Sequence, residues 1–264
     1  MSWSPPFFNR RETESFAREC EPRPRVGGSA EVRYNPDERD RGDETHELTG
    51  LSWHAELQAA DFSTPSAGPI MRVVLASQSP RRLELLRQIG IEPVVLVPEA
   101  DETRRPGEEF AEFLRRVSIS KILAVYEKKY YQSLLVGADT VVIVGEEMIG
   151  KPRDRQDAAA MLRSLSGRQH EVWTGVALMH RGETRFETAI TQVFFKPLSD
   201  REIEHYLDRA DYLDKAGAYA IQGRAALFVE RIEGCFFNVM GFPLNLFYRM
   251  ADRFGIDLTA PEPD

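Results

Sequence analysis

Residues 71–90 read MRVVLASQSPRRLELLRQIG, and the rest of the chain is placed relative to this stretch. Val73, Val74, Leu75 and Ala76 form a short continuous apolar run rich in β-branched residues, the pattern of a strand covered on both faces. Ser79 stands where a helix N-cap belongs, and Pro80 takes the first helical position, where its missing N–H costs nothing. The helix then runs from Pro80 to about Ile89. Leu83, Leu85, Leu86 and Ile89 supply its apolar face, and Gly90 can take the left-handed conformation that closes it.

A helix N-terminus offers unpaired N–H groups and a positive dipole end, so a junction carrying Ser77, Ser79, Arg81 and Arg82 is suited to an anion. Polyphosphate matches best, because arginine forks bind phosphate oxygens in a bidentate way. The alternative is a solvated first turn with surface arginines.

The 264 residues carry 42% hydrophobic content and a formal net charge of −8. That is enough for one sizeable core or two small domains, and no run approaches the ~20 apolar residues of a membrane span. The acidic balance disfavours a nucleic-acid backbone as partner, which needs a broad basic surface. Cys20 and Cys235 suggest neither a disulfide framework nor a thiolate metal site, so a reducing cytoplasm fits. His46, His54, His170, His180 and His205 show no spacing typical of zinc ligands.

Residues 1–70 hold many Arg, Glu, Asp, Pro and Gly, no Lys, and almost no apolar periodicity. Such a segment has too little hydrophobic surface to offset the entropy of folding and reads as a disordered extension. It lacks the apolar region of a secretory signal. Met71 directly precedes the first strand and is a candidate translation start. A catalytic domain over 71–258 and a short tail at 259–264 complete the organisation.

Pro93 to Val97 reads as a second strand, followed by an acidic loop in which Asp101 and Glu102 are potential metal or water ligands. Glu108 to about Lys129 reads as a helix with Phe110, Phe113, Leu114, Val117, Ile122 and Val125 mostly on one side. Lys121 falls within it, where a lone lysine is normally solvated. Leu134 to Val144, LLVGADTVVIV, is a long β-branched strand with Asp139 embedded in it. A buried charge is costly unless it meets a cation or a metal, which marks Asp139 as a functional candidate with Gly137 and Ala138 keeping the approach open. The alternative is a carboxylate paired with a core arginine or capping a bend.

Further on, Asp154 caps a helix stopped by Gly167, and His170–Met179 and Glu183–Phe195 form strands joined by a hairpin at 180–182. Ser199 and Glu202 make a capping box. Residues 214–223, DKAGAYAIQG, form a small-residue loop that lets backbone approach a ligand. A strand over Leu227–Ile232 and a last helix between Pro243 and Gly255 follow.

Four stretches, SQSPRR at 77–82, GADTVV at 137–142, GKP at 150–152 and DKAGAYAIQG at 214–223, resemble in order and spacing the signatures of the Maf family of nucleotide pyrophosphatases. The resemblance covers residues 71 to about 256. It implies an α/β fold with an elongated mixed central sheet flanked by helices, and a cleft between two lobes. It also implies hydrolysis of nucleoside triphosphates to monophosphate and pyrophosphate with Mg²⁺ or Mn²⁺. Carried over by position, Asp139 matches the family's proton acceptor. Arg81, Thr140 and Gln222 match positions that set substrate choice, and Arg82, Glu102, Lys121 and Lys151 match polar residues of the same cleft.

The AYAIQG form of the last motif resembles the branch acting on dTTP and UTP. An amide at Gln222 and a hydroxyl at Thr140 can satisfy the donor and acceptor edge of a uracil or thymine ring. The expected partner is the nucleoside triphosphate substrate, with no nucleic acid or membrane; a homodimer is a candidate assembly. Two other readings remain open. One is a nucleotide-binding regulator of septum formation, which would need the arginines but not Asp139. The other is a house-cleaning enzyme for purine triphosphates such as ITP or XTP.

Overall fold

The computed structural model describes residues 71–258. The expectations for residues 1–70 and 259–264 lie outside the described residues. Within them β1 (Val73–Ala76), α1 (Pro80–Gln88) and β2 (Val94–Leu96) follow as the sequence predicts, with Pro80 in the first turn and Gly90 at φ +81°. Then come α2 (Phe110–Val125), β3 (Leu134–Val144), β4 (Glu147–Ile149), α3 (Arg155–Leu165), β5 (Gln169–His180), β6 (Glu183–Phe195), α4 (Asp200–Leu207), β7 (Val229–Glu233), α5 (Phe236–Met240) and α6 (Leu244–Asp252).

The seven strands make one mixed sheet in the order β2-β1-β3-β5-β6-β7, with β4 paired to β3. β1 is parallel to both β2 and β3, whereas β3, β5, β6 and β7 run antiparallel. The β5–β6 hairpin closes on two residues, Arg181 at φ +49° and Gly182 at φ +82°, the left-handed pair that matches strand twist. The Ser199–Glu202 capping box forms as expected.

Three boundaries differ by two residues or more from the sequence reading. α2 begins at Phe110, because the Glu108 carboxylate holds the Arg116 guanidinium at 2.7 Å and the Arg105 N–H at 2.9 Å and so shapes the loop instead. It ends at Val125, where Tyr126 turns to ψ 126°, and Lys128–Tyr130 form a separate 3₁₀ turn. β7 starts at Val229 because Arg224–Leu227 wind into another 3₁₀ turn. α5 and β4 were not anticipated: five and three residues are too few to show a helical or a strand period.

Strand β3 organises the core. Successive side chains point to opposite faces of a strand. Leu134, Val136 and Ala138 enter a cluster with α1 and α6, while Leu135, Val141 and Ile143 pack towards α2 on the other face. Further along, Val142 joins a different cluster with α3, α4 and the end of β6. The strand thus passes from one apolar lobe into another, and Asp139 and Thr140 lie at the crossing, where the cleft opens.

Candidate active site

Odd-numbered residues of β3 face α2, so the Asp139 side chain meets Lys121 on that helix. Lys121 Nζ lies 2.7 Å from Asp139 Oδ1, 2.8 Å from Glu102 Oε1 and 3.4 Å from the Ala138 carbonyl. Lys121 is only 4% exposed and lines the cleft, as the family resemblance implies, rather than being the solvated lysine its helical position alone suggests: two carboxylates and a carbonyl replace the water it gives up. Asp139 does have a core cation as partner, a lysine rather than an arginine, and it also lines the cleft. Partial burial pushes the Glu102 carboxyl up, but Lys121, with Lys151 and Arg82 beyond it, outweighs this and holds it below its ordinary value.

The role expected for Gly137 and Ala138 is also corrected. A Cβ at Gly137 would sit 2.2 Å from the Ser118 carbonyl oxygen, so this glycine lets α2 press against β3, and Ala138 is fully buried in the core. Neither lines the cleft. Asp101 does not line it either: its carboxylate caps the Thr103 N–H at 2.9 Å.

Even-numbered residues face the other way, and Thr140 meets Arg82 from the first turn of α1. Arg82 is 7% exposed and donates from Nε to the Gly241 carbonyl (2.9 Å), from Nη1 to Ser77 Oγ (3.3 Å) and from Nη2 to Thr140 Oγ1 (3.1 Å). Burial lowers its pKa, an effect opposed by nearby Asp139. Ser77 Oγ also accepts the Ser79 N–H at 3.1 Å, whereas Ser79 itself makes no side-chain cap. Directly across from Thr140 on β5 stands Thr174, their hydroxyls 2.9 Å apart.

Arg81, the neighbour of Arg82, crosses the cleft mouth to Asp214 at 2.8 Å, and Asp214 is also paired with Lys215. Burial raises the Asp214 pKa, but Lys215 and Arg81 reverse the shift and leave it lowered. Next to these, Gly217 at φ +70° turns the chain so that Tyr219 and Gln222 reach the cleft wall. Tyr219 OH is 2.8 Å from Nε2 of the buried His170. Lys151 follows β4 and approaches Glu102 to 4.0 Å.

All eight site residues read from the sequence therefore line one cleft of about 410 Å³. Its charged lining also includes Asp214 and Lys215, giving five cations to three carboxylates in a chain of net charge −8. Sequence reasoning missed Asp214 and Lys215 as individual residues, though both belong to the 214–223 motif. It missed Thr174 and the Gly241 carbonyl altogether; the alternation within β5, which sets Thr174 on one face with the buried Val172 and Val176, was the available signal for the burial of Thr174.

Among the described residues no group of three or more His, Cys, Asp and Glu side chains converges to hold a metal. Glu102 and Asp139 converge on one ammonium, two carboxylates being the donor number with which Mg²⁺ is commonly held when phosphate supplies the rest.

The family model described as Maf-like protein matches residues 72–254. A protein of Aromatoleum aromaticum named dTTP/UTP pyrophosphatase is 44% identical over 200 residues, covering 71% of this chain and 97% of that protein. One of Symbiobacterium thermophilum with the same name is 46% identical over 186 residues, covering 70% and 95%. Among solved structures, the Staphylococcus aureus Ham1 protein aligns at 15% identity and a TM-score of 0.39, over 69% of this chain and 99% of that one. With the family model spanning the whole sheet and the cleft signatures all in one site, the chain belongs to the Maf family.

Proposed function

We propose that this protein hydrolyses dTTP and UTP to the nucleoside monophosphate and pyrophosphate. The observation that carries the reading is the placement of Asp139, held by Lys121, in the same cleft as the cationic start of α1. The names of the relatives support the substrate class. In this mechanism Asp139 takes a proton from a water that attacks the α-phosphorus, the bond from that phosphorus to the bridging oxygen breaks, and pyrophosphate leaves. Arg81, Lys151 and the two N–H groups of Arg82 not engaged by protein atoms neutralise the triphosphate. Lys121 orients the carboxylate that receives the proton. Gln222, at the cleft wall, pairs with the base edge. Glu102 and Asp139 would hold Mg²⁺ or Mn²⁺, which would supply charge neutralisation and polarise the phosphoryl group.

No helix among the described residues is long and apolar enough to cross a membrane. The location we propose is the cytoplasm, where nucleoside triphosphates are made and used; the partner is the nucleotide rather than nucleic acid.

A panel of nucleoside triphosphates with Mg²⁺ or Mn²⁺, scored for pyrophosphate against orthophosphate, tests the reading. Pyrophosphate from dTTP and UTP at rates well above those from GTP and ITP is expected. Equal or faster turnover of ITP or GTP would replace it with purine house-cleaning, and orthophosphate as product would exclude attack at the α-phosphorus.

A further inference from the structure

Thr174 is fully buried, lies outside the four signature stretches and does not line the cleft, yet it is bonded to the centre of the site. A threonine hydroxyl has one proton to donate and two lone pairs to accept with. Thr140 Oγ1 has three protein partners for them: Arg82 Nη2 at 3.1 Å, Thr174 Oγ1 at 2.9 Å and the Gly241 carbonyl at 3.3 Å. Directions follow from chemistry, since a guanidinium can only donate and a carbonyl can only accept. Thr140 therefore accepts from Arg82. Either it donates to Gly241 and accepts from Thr174, or it donates to Thr174, which passes its own proton to the Asn238 carbonyl at 3.4 Å. Both arrangements commit the Thr140 proton to the protein.

The same carbonyl of Gly241 also receives Arg82 Nε at 2.9 Å. Arg82, Thr140, Thr174 and the C-terminal end of α5 thus form one network fixing the plane of the guanidinium. We propose that Thr174 is a positioning residue for nucleotide binding. It holds Thr140 Oγ1, and through it sets the direction in which Arg82 presents its two remaining N–H groups to the substrate's phosphates. This rests on the triphosphate reading of the cleft, and it leaves the Thr140 hydroxyl with no proton to donate to the base.

Thr174→Val keeps the shape and removes the hydroxyl. Loss of one internal hydrogen bond predicts a rise in KM for dTTP of about 2- to 10-fold. The kcat should stay within about twofold because the Lys121–Asp139 pair lies on the opposite face of β3. Thr174→Ser should restore the KM. Thr140→Val should raise KM comparably, and the double variant should be no worse than about twice the larger single effect, because both break one network. If Thr174→Val does not fold, Thr174→Cys, whose thiol is a weak donor, must show the same KM rise. Unchanged KM in Thr174→Val, or in Thr174→Cys where that stands in for it, beside a raised KM in Thr140→Val would overturn the proposal and make Thr140 a direct contact. Lower stability or kcat at constant KM would also overturn it, leaving Thr174 a purely structural residue. Failure of the wild-type protein to hydrolyse any pyrimidine triphosphate would instead remove the functional reading itself.

Discussion

Replacing Asp139 by Asn removes one negative charge at nearly constant volume, and the structure sets separate expectations for stability, binding and turnover. Lys121 keeps Glu102 at 2.8 Å and the Ala138 carbonyl at 3.4 Å, and an asparagine oxygen can still accept its third bond. The ammonium is therefore not orphaned, and the cost falls well below the ~3–5 kcal/mol of a buried pair broken outright. Weakening one charge-assisted bond to a neutral one costs about 1–2 kcal/mol, which for a domain of this size lowers Tm by roughly 2–8 °C. Affinity for the nucleotide without metal should hold, because Arg81, Arg82 and Lys151 are unchanged. Turnover should fall at least ~10²-fold, the lower end of what a general base contributes. Calorimetry of nucleotide binding, thermal melting and pyrophosphate release on one preparation separate the three. Near-normal pyrophosphate release would refute the assignment of Asp139 as the base, and loss of fold together with binding would make it a structural acid.

Two further outcomes follow from the packing. His170 is 2% exposed and burial pushes its pKa down to about 4, so it is neutral in the folded protein and charges on unfolding below about 6.5. Its contribution to stability is complete above pH 6.5 and is lost progressively, on the order of 3 kcal/mol, as the pH falls towards 4. An NMR titration of the imidazole should give a midpoint near 4, and one at or above 6.5 would refute the account. Gly137→Ala should lower stability by at least about 2 kcal/mol, since the new Cβ would lie 2.2 Å from a backbone oxygen of α2 that cannot swing aside. An unchanged melting temperature would show that α2 sits less tightly on β3 than described.

The elements legible in the sequence are those whose signals are local. Pro80 and Gly90 bracket α1, Ser199 and Glu202 announce α4 by a capping box, and the β-branched run at Leu134–Val144 gives β3 to the residue. Arg81, Arg82, Asp139, Thr140, Lys151 and Gln222 were found through their motifs, and Glu102 and Lys121 through the family resemblance by position, but their relations were not. Lys121 reads as a surface lysine because its partners, Glu102 and Asp139, come from a loop and a strand that only the packing of α2 brings to it. Arg82 reads as a phosphate ligand, while most of its directed bonds go to Ser77, Thr140 and a carbonyl 159 residues away. Arg81 meets Asp214 across 133 residues. Such pairings depend on which strand lies beside which, and the antiparallel placement of β5 against β3 has no local signature.

The lobes on either side of the cleft are not joined by a linker. β3 supplies Leu134, Val136 and Ala138 to one and Val142 to the other, and β5 does the same with Val176 and Leu178 on one side and Val172 on the other. Two hydrogen-bonded strands paired continuously from Leu135–Met179 to Ile143–Glu171 run as a beam through both, so the two sides of the cleft share one backbone frame along these strands. In the proposed reaction Arg81 would give up the carboxylate of Asp214 for a phosphate, a swap of one anion for another at the cleft mouth.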